Sequence, residues 1–107
     1  MIDKEARKNA RKLLKLFGPN GEHWTTKEFA RTKKDSYADI NSPNAAKWCL
    51  LGGACKLNLD SDFLYHAVKK IKDPTTRKGY VSPARFNDAD GFEPVKDFLT
   101  KIANGKI

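Results

Sequence analysis

The stretch that decides the fold is residues 42–59, which read SPNAAKWCLLGGACKLNL. Serine as a cap with proline in the first turn is a helix-start signal, so a helix is predicted from Ser42-Pro43. Its apolar residues lie almost all the way round the helix, which is typical of a central helix contacted on several sides. Gly52 and Gly53 each cost about 1 kcal/mol in a helix interior relative to alanine, so we expect a neighbouring helix to approach closely there.

Amphipathic helices are predicted on both sides of this segment, from apolar residues spaced three and four apart. The first begins near Asp3 and ends at residues 18–19, Gly-Pro. The next opens with Asp60 as cap and ends at residues 73–74, Asp-Pro. The last begins with a capping box of Asp90 and Glu93, and Gly105 is a plausible cap at its other end. Their apolar positions are Ala6, Ala10, Leu13, Leu14 and Phe17, then Phe63, Leu64, Ala67, Val68 and Ile71, then Val95, Phe98, Leu99 and Ile102.

Two long connections separate these helices. The first, Asn20–Asn41, is irregular, with a possible helical turn at Thr25, and a connection of that length is often functional. The second, Thr75–Asn87, includes a short turn that begins at residues 82–83, Ser-Pro. No segment shows sustained period-two alternation, so no sheet is predicted. The sequence therefore predicts an all-α fold: one domain, residues 1–107, built as a compact bundle of four main helices with two long ordered connections.

Charge is the dominant compositional feature. The 107 residues carry 21 Lys and Arg against 13 Asp and Glu, for a net charge of +8. Such an excess attracts anionic partners. Two cysteines are too few for the disulfide framework of a small secreted domain, and the charged N-terminus does not resemble a signal peptide. The longest charge-free run, Trp48–Cys55, is far shorter than the roughly 20 residues that span a bilayer. We expect a cytoplasmic protein with no membrane partner.

Lysines and arginines cluster on the first helix, in the first connection and from Lys69 to Lys78. They would neutralise phosphates if the partner is a nucleic acid. Three aromatic residues among the cations, Trp24, Tyr37 and Tyr80, are candidates for stacking on exposed bases. The alternative is a solvated face that only keeps the protein soluble, and Trp24 has the further alternative of anchoring the core. The residues predicted to bind a nucleic acid or another anionic partner are Lys4, Lys8, Arg11, Lys12, Lys15, Arg31, Lys33 and Lys34.

A thiol enzyme is the main catalytic alternative. Cys49, His23 and Asp88 supply a nucleophile, a base and an orienting group. However, an apolar helix around Cys49 would raise the thiol pKa and make it inert. Metal binding has little support, since the two cysteines lie six residues apart and turn about 120° from each other on a helix. For Asn87 and Asp88 we expect bonds to neighbouring backbone amides rather than ligand contact.

Several of these segments together resemble a known pattern. Trp24-Thr25, Phe29-Ala30-Arg31, the block WCLLGGA at residues 48–54 and Phe86-Asn87-Asp88 resemble, in order and spacing, a family of small uncharacterised phage and bacterial proteins. The resemblance covers residues 23–103. An extra glycine in the WC block and phenylalanine in place of the more usual tryptophan before Asn87 depart from the pattern. The resemblance implies a domain of unknown function of phage or mobile-element origin, and it brings no established catalytic residue.

The functional expectation is a non-enzymatic, phage-type accessory protein. Its basic surface would bind an anionic macromolecule: a nucleic acid, or a host protein or nucleoprotein or defence complex that it would modulate or inhibit. No cofactor and no metal are expected. The alternatives are a thiol-dependent enzyme that uses Cys49 and His23, and a structural subunit of a phage particle. The sequence leaves the oligomeric state open.

Overall fold

The computed structural model describes residues 4–107 of the chain. Their regular elements are, in order, α1 Lys4–Phe17, β1 Ala30–Thr32, β2 Ala45–Trp48, α2 Leu50–Lys56, α3 Asp62–Val68, α4 Pro83–Asn87 and α5 Phe92–Ala103. The predicted all-α bundle of four helices is therefore wrong. The described chain is mixed α/β, with five helices and a two-stranded antiparallel sheet.

The first predicted helix is confirmed, and the last is confirmed apart from its start. Helix α1 ends at Phe17, where Gly18 takes a left-handed conformation with φ 83°; its expected start near Asp3 lies outside the described residues. The Ser82-Pro83 turn is helix α4, whose first turn is capped by the Ser82 hydroxyl. Helix α5 follows Gly91, with no side-chain cap, so the predicted Asp90–Glu93 capping box is wrong.

The sheet lies where a loop and a helix start were predicted. Strand β1 pairs antiparallel with β2, which places Ala30 opposite Trp48 and Arg31 opposite Lys47. Thr25 begins no helical turn: residues 26–29 are bends, and the backbone N–H of Thr25 donates to the carbonyl of Trp48 at 3.1 Å. Ser42 begins no helix either: its hydroxyl accepts from the N–H of Asn44 at 3.1 Å, and a strand follows.

Helix α2 is half the predicted central helix, and its two glycines allow two different close approaches. A Cβ on Gly52 would lie 1.9 Å from the carbonyl oxygen of Phe29, so the close neighbour there is the backbone next to β1 and not a helix. A Cβ on Gly53 would lie 3.0 Å from Leu13 and 3.1 Å from Phe17, both on α1. The expected helix–helix approach is therefore confirmed at Gly53 only.

The core forms where α1 packs on α5; α2 packs on α1, α4 packs on α2 and α5, and α3 packs on α4. Helix α3 ends at Val68, short of the predicted boundary at residues 73–74, and the chain continues in turns. The largest fully buried side chains come mainly from the predicted apolar faces: Phe17, Phe98, Leu13, Leu50, Leu64, Leu99, Ile102, Val68 and Val95.

Candidate functional site

The outer face of α1 carries five of the eight predicted binding residues. At 100° per residue, these five lie within an arc of about 100° on the side opposite the core, over about 16 Å of helix axis. All five are exposed: Lys4, Lys8, Arg11, Lys12 and Lys15. The inward side holds the buried Ala6, Ala10, Leu13 and Phe17. The sequence prediction of an amphipathic helix with one basic face is therefore confirmed.

This face is almost unneutralised. Helix α1 contains six Lys and Arg residues but a single carboxylate, Glu5. Within residues 4–107 the ion pairs join Lys47 to Asp35, Arg85 to Asp73 and Lys101 to Asp97, and none of them involves α1. Positive charge on this helix therefore has no acidic partner in the described part of the fold.

The arginines of α1 serve the fold as well as the surface. Arg11 donates from Nη2 to the carbonyl of Ala103 at 2.9 Å. Carbonyls at a helix C-terminus lack intrahelical donors and carry partial negative charge, so this bond caps α5. Arg7 lies beside the same end, where a Cβ on Gly105 would be 2.9 Å from its Cζ. The face available to a partner is therefore chiefly that of Lys4, Lys8, Lys12 and Lys15, which we call the α1 lysine face.

The three predicted binding residues of the first connection lie in β1, which holds Arg31, and in the turn that follows it, which holds Lys33 and Lys34. Arg31 donates from Nε to the carbonyl of Thr26 at 3.2 Å and from Nη1 to the carbonyl of Asp35 at 2.8 Å. It is half-buried, and its bonds hold the turn together. Lys33 and Lys34 are exposed at the tip of the turn. No described hydrogen bond or ion pair within residues 4–107 joins this turn to the α1 lysine face, so the predicted residues form two groups on different elements.

The aromatic residues proposed for stacking have three different environments. Tyr80 is buried at 3% exposure, so it belongs to the core. Trp24 is half-buried, with its ring tilted by 50° against that of Phe92 at 5.6 Å between centres, and it serves as an anchor. Tyr37 is 65% exposed and remains available. Phe29, which sequence reasoning did not single out for stacking, is 55% exposed.

Cys49 does not have the surroundings of a nucleophile. It is the N-cap of α2, and its Sγ accepts from the N–H of Gly52 at 3.3 Å. Burial raises the pKa of this thiol, and the nearby Asp88 carboxylate raises it further. His23 lies at the surface with Nδ1 2.9 Å from the carbonyl oxygen of Ala46, and no described contact joins it to Cys49. The geometry of residues 4–107 therefore keeps the thiol protonated and apart from the candidate base.

Asn87 is the most highly connected polar side chain described. It is fully buried, and its Oδ1 accepts from Trp24 Nε1 at 2.7 Å and from the N–H of Leu50 at 3.1 Å. Its Nδ2 donates to the carbonyl of Thr25 and to Asp88 Oδ1, both at 3.0 Å. One amide thus joins α4, the start of α2 and the first connection.

Asp88 extends this network to the surface. Its Oδ1 also accepts from the backbone N–H of Lys27 at 3.1 Å. Both side chains accept from backbone N–H groups, but from those of Leu50 and Lys27, which are 37 and 61 residues away along the chain. The predicted bonds to neighbouring backbone amides are therefore wrong. We assign the pair a role in fixing the first connection against the core.

Neither similarity to known proteins nor a metal-binding or membrane-spanning feature of residues 4–107 identifies the partner. Within residues 4–107, no group of three or more His, Cys, Asp or Glu side chains is arranged to hold a metal ion. No helix in this part of the chain has both the length and the apolar character needed to cross a membrane. The chain matches no family model, no curated protein and no solved structure.

Proposed function

We propose that this protein is a non-enzymatic binding protein that docks on nucleic acid through the α1 lysine face. The observation that carries the proposal is four exposed lysines on one side of α1, none of which has an ion pair within residues 4–107. Each phosphate that a lysine neutralises releases condensed counterions, which favours binding. At about 0.1 M salt that release contributes about 1 kcal/mol per contact.

The cellular setting of the proposal comes from the sequence. The resemblance to small phage and bacterial proteins supports an accessory role in the cytoplasm of a bacterial host. Nucleic acid there is free or held in nucleoprotein complexes, such as host transcription or defence machinery. A protein partner with an acidic surface is the competing outcome of the test. The raised pKa of the Cys49 thiol favours binding over thiol catalysis.

The test replaces three lysines of the face by glutamine, a good helix former without charge. The variant Lys8→Gln/Lys12→Gln/Lys15→Gln leaves Arg11 in place because that residue caps α5. Its affinity for a fluorescent duplex of about 20 base pairs is measured by anisotropy at low salt. The loss of three phosphate contacts is expected to weaken binding by at least about 100-fold, since each contact contributes more than about 1 kcal/mol when the salt concentration is below about 0.1 M.

A control variant removes the same charge elsewhere. Lys69, Lys70 and Lys78 are exposed and have no ion pair among the described residues. Replacing these three by glutamine lowers the net charge equally, so a general charge effect would weaken both variants alike. A selective loss in the α1 variant supports the proposed face. Equal losses, or no duplex binding by the wild-type protein at low salt, would overturn it.

A further inference from the structure

The sheet is wider than its two strands. On the far side of β1, Tyr37 forms an antiparallel bridge with Arg31, and the N–H of Ala38 donates to the carbonyl of Ala30 at 3.2 Å. Arg31 is at the same time opposite Lys47 on β2. Three chain segments therefore lie side by side, with Tyr37, Arg31 and Lys47 in one row across them.

This row lies on the outward side of the sheet. Successive residues in extended chain point to opposite faces. The alternate positions Ala30 and Ala38 are buried, at 0% and 7% exposure. Phe29 and Tyr37 are on the other face, 55% and 65% exposed. Because Tyr37 pairs with Arg31, Phe29 is its diagonal neighbour, and diagonal Cβ atoms lie about 7 Å apart. Two exposed rings thus lie within reach of successive bases of an extended strand.

The charges around the two rings favour an anionic partner. Lys33 and Lys34 are exposed at the turn that follows β1, with no described ion pair. Three carboxylates are nearby: Asp35 pairs with Lys47 at 2.6 Å, Asp39 accepts from the Tyr37 hydroxyl at 2.9 Å, and Glu28 lies close enough to help raise the pKa of Tyr37. The cations around the rings still outnumber them, with Lys27, Arg31, Lys33, Lys34 and Lys47 on the same segments. An aromatic surface bordered by unpaired lysines complements a backbone of phosphates with exposed bases.

We propose that this sheet face binds single-stranded nucleic acid, with Phe29 and Tyr37 stacking on bases and Lys33 and Lys34 contacting phosphates. A duplex hides the flat faces of its bases, whereas a single strand offers them to aromatic side chains. The inference rests on the proposed function and narrows it: the α1 lysine face contributes sequence-independent attraction, and the sheet face selects unpaired strands. Arg31 positions the turn through its two backbone bonds.

The experiment compares two fluorescent probes at one salt concentration: oligothymidylate of about 15 nucleotides and the duplex of about 20 base pairs. The double variant Phe29→Ala/Tyr37→Ala removes both rings. The separate variant Tyr37→Phe keeps the ring and removes only the hydroxyl. Tyr65→Ala is the matched control, because Tyr65 is an exposed aromatic on α3 at 39% exposure. Each lost stacking ring is expected to weaken oligothymidylate binding about tenfold.

The outcomes separate this inference from the proposed function. Support is a loss of about 100-fold on oligothymidylate in the double variant, little change on the duplex, and wild-type affinity in Tyr37→Phe and Tyr65→Ala. Unchanged oligothymidylate binding in the double variant, or an equal loss on both probes, overturns the inference while duplex binding by the α1 lysine face stands. Wild-type protein that binds neither probe overturns both.

Discussion

Replacing the buried amide of Asn87 by alanine is expected to destabilise the whole domain. The change leaves the N–H of Leu50 and the carbonyl of Thr25 without their partner, both in buried positions. An unsatisfied buried polar group costs about 1–3 kcal/mol. Together with the lost bond to Trp24, the expected loss in free energy of unfolding is about 3–6 kcal/mol. That loss is a large part of the 5–15 kcal/mol typical of a domain.

The assay is urea unfolding followed by tryptophan fluorescence, since Trp24 itself is bonded to Asn87. Asn87→Asp serves as an isosteric variant that keeps the acceptor but loses both donors, and we expect it to be destabilised as well. Asn44→Ala is the control, because Asn44 is exposed and bonds the Ser42 hydroxyl through its backbone N–H, which alanine keeps. The free energy of unfolding of this variant is expected to fall by less than about 0.5 kcal/mol. A loss under about 1 kcal/mol in Asn87→Ala would refute the assigned role.

Three further predictions follow from local geometry. Gly52→Ala is expected to lower the free energy of unfolding by more than about 3 kcal/mol, because the added Cβ would lie 1.9 Å from the Phe29 carbonyl oxygen. A melting temperature close to that of the wild-type protein would contradict this. Iodoacetamide should label the exposed Cys55 in the native protein and the buried Cys49 only after denaturation, as peptide mass spectrometry would show; rapid native labelling of both refutes this. The ion pair of Asp73 lowers its pKa below the ordinary 3.8, so its stabilisation is present above about pH 4 and lost in more acidic solution. As the pH is lowered below about 4, the free energy of unfolding in urea should fall less steeply in Asp73→Asn than in the wild-type protein. Identical pH profiles would contradict a stabilising role of the Asp73 ion pair.

Local sequence signals were sufficient for the elements whose stability is local. The apolar spacing of α1 and the Ser82-Pro83 start of α4 depend on residues within a turn or two of each other. Helix length was less predictable, because residues 69–72 have helix-like composition but form a turn and a bend, after which Lys72 pairs with Gly79. The basic face of α1 followed directly from the same periodicity.

The sheet could not be predicted because its signal is tertiary. Strand β2 is a short piece of an apolar run in which periodicity does not separate strand from helix. Its pairing depends on Ala30 meeting Trp48 across 18 residues of chain. Ser42-Pro43 has the composition of a helix start, but its serine closes a turn instead. The conformation of residues 45–48 was therefore decided by contacts with β1 and not by its own residues.

The candidate site was predictable only in part, because its exposed rings depend on tertiary contacts, as the sheet does. Positive charge is visible in the sequence, and so are the aromatic residues that lie among it. Which rings stay exposed depends on the fold. Tyr80 is buried in the core, whereas Phe29 packs its backbone carbonyl against Gly52 of α2 and leaves its ring 55% exposed. Likewise, the sequence does not show that Arg11 and Arg31 bond backbone carbonyls, because those bonds depend on the folded chain.

The salt dependence of duplex binding tests the central claim most directly. Each phosphate that a lysine neutralises contributes about −0.9 to the slope of log K against log salt concentration. The wild-type protein is expected to show a slope of about −3 to −4, from contacts by Lys4, Lys8, Lys12 and Lys15. In Lys8→Gln/Lys12→Gln/Lys15→Gln the slope should flatten by about 2.7, while the control at Lys69, Lys70 and Lys78 keeps the wild-type value. A slope that stays the same in the α1 variant would contradict binding through this face.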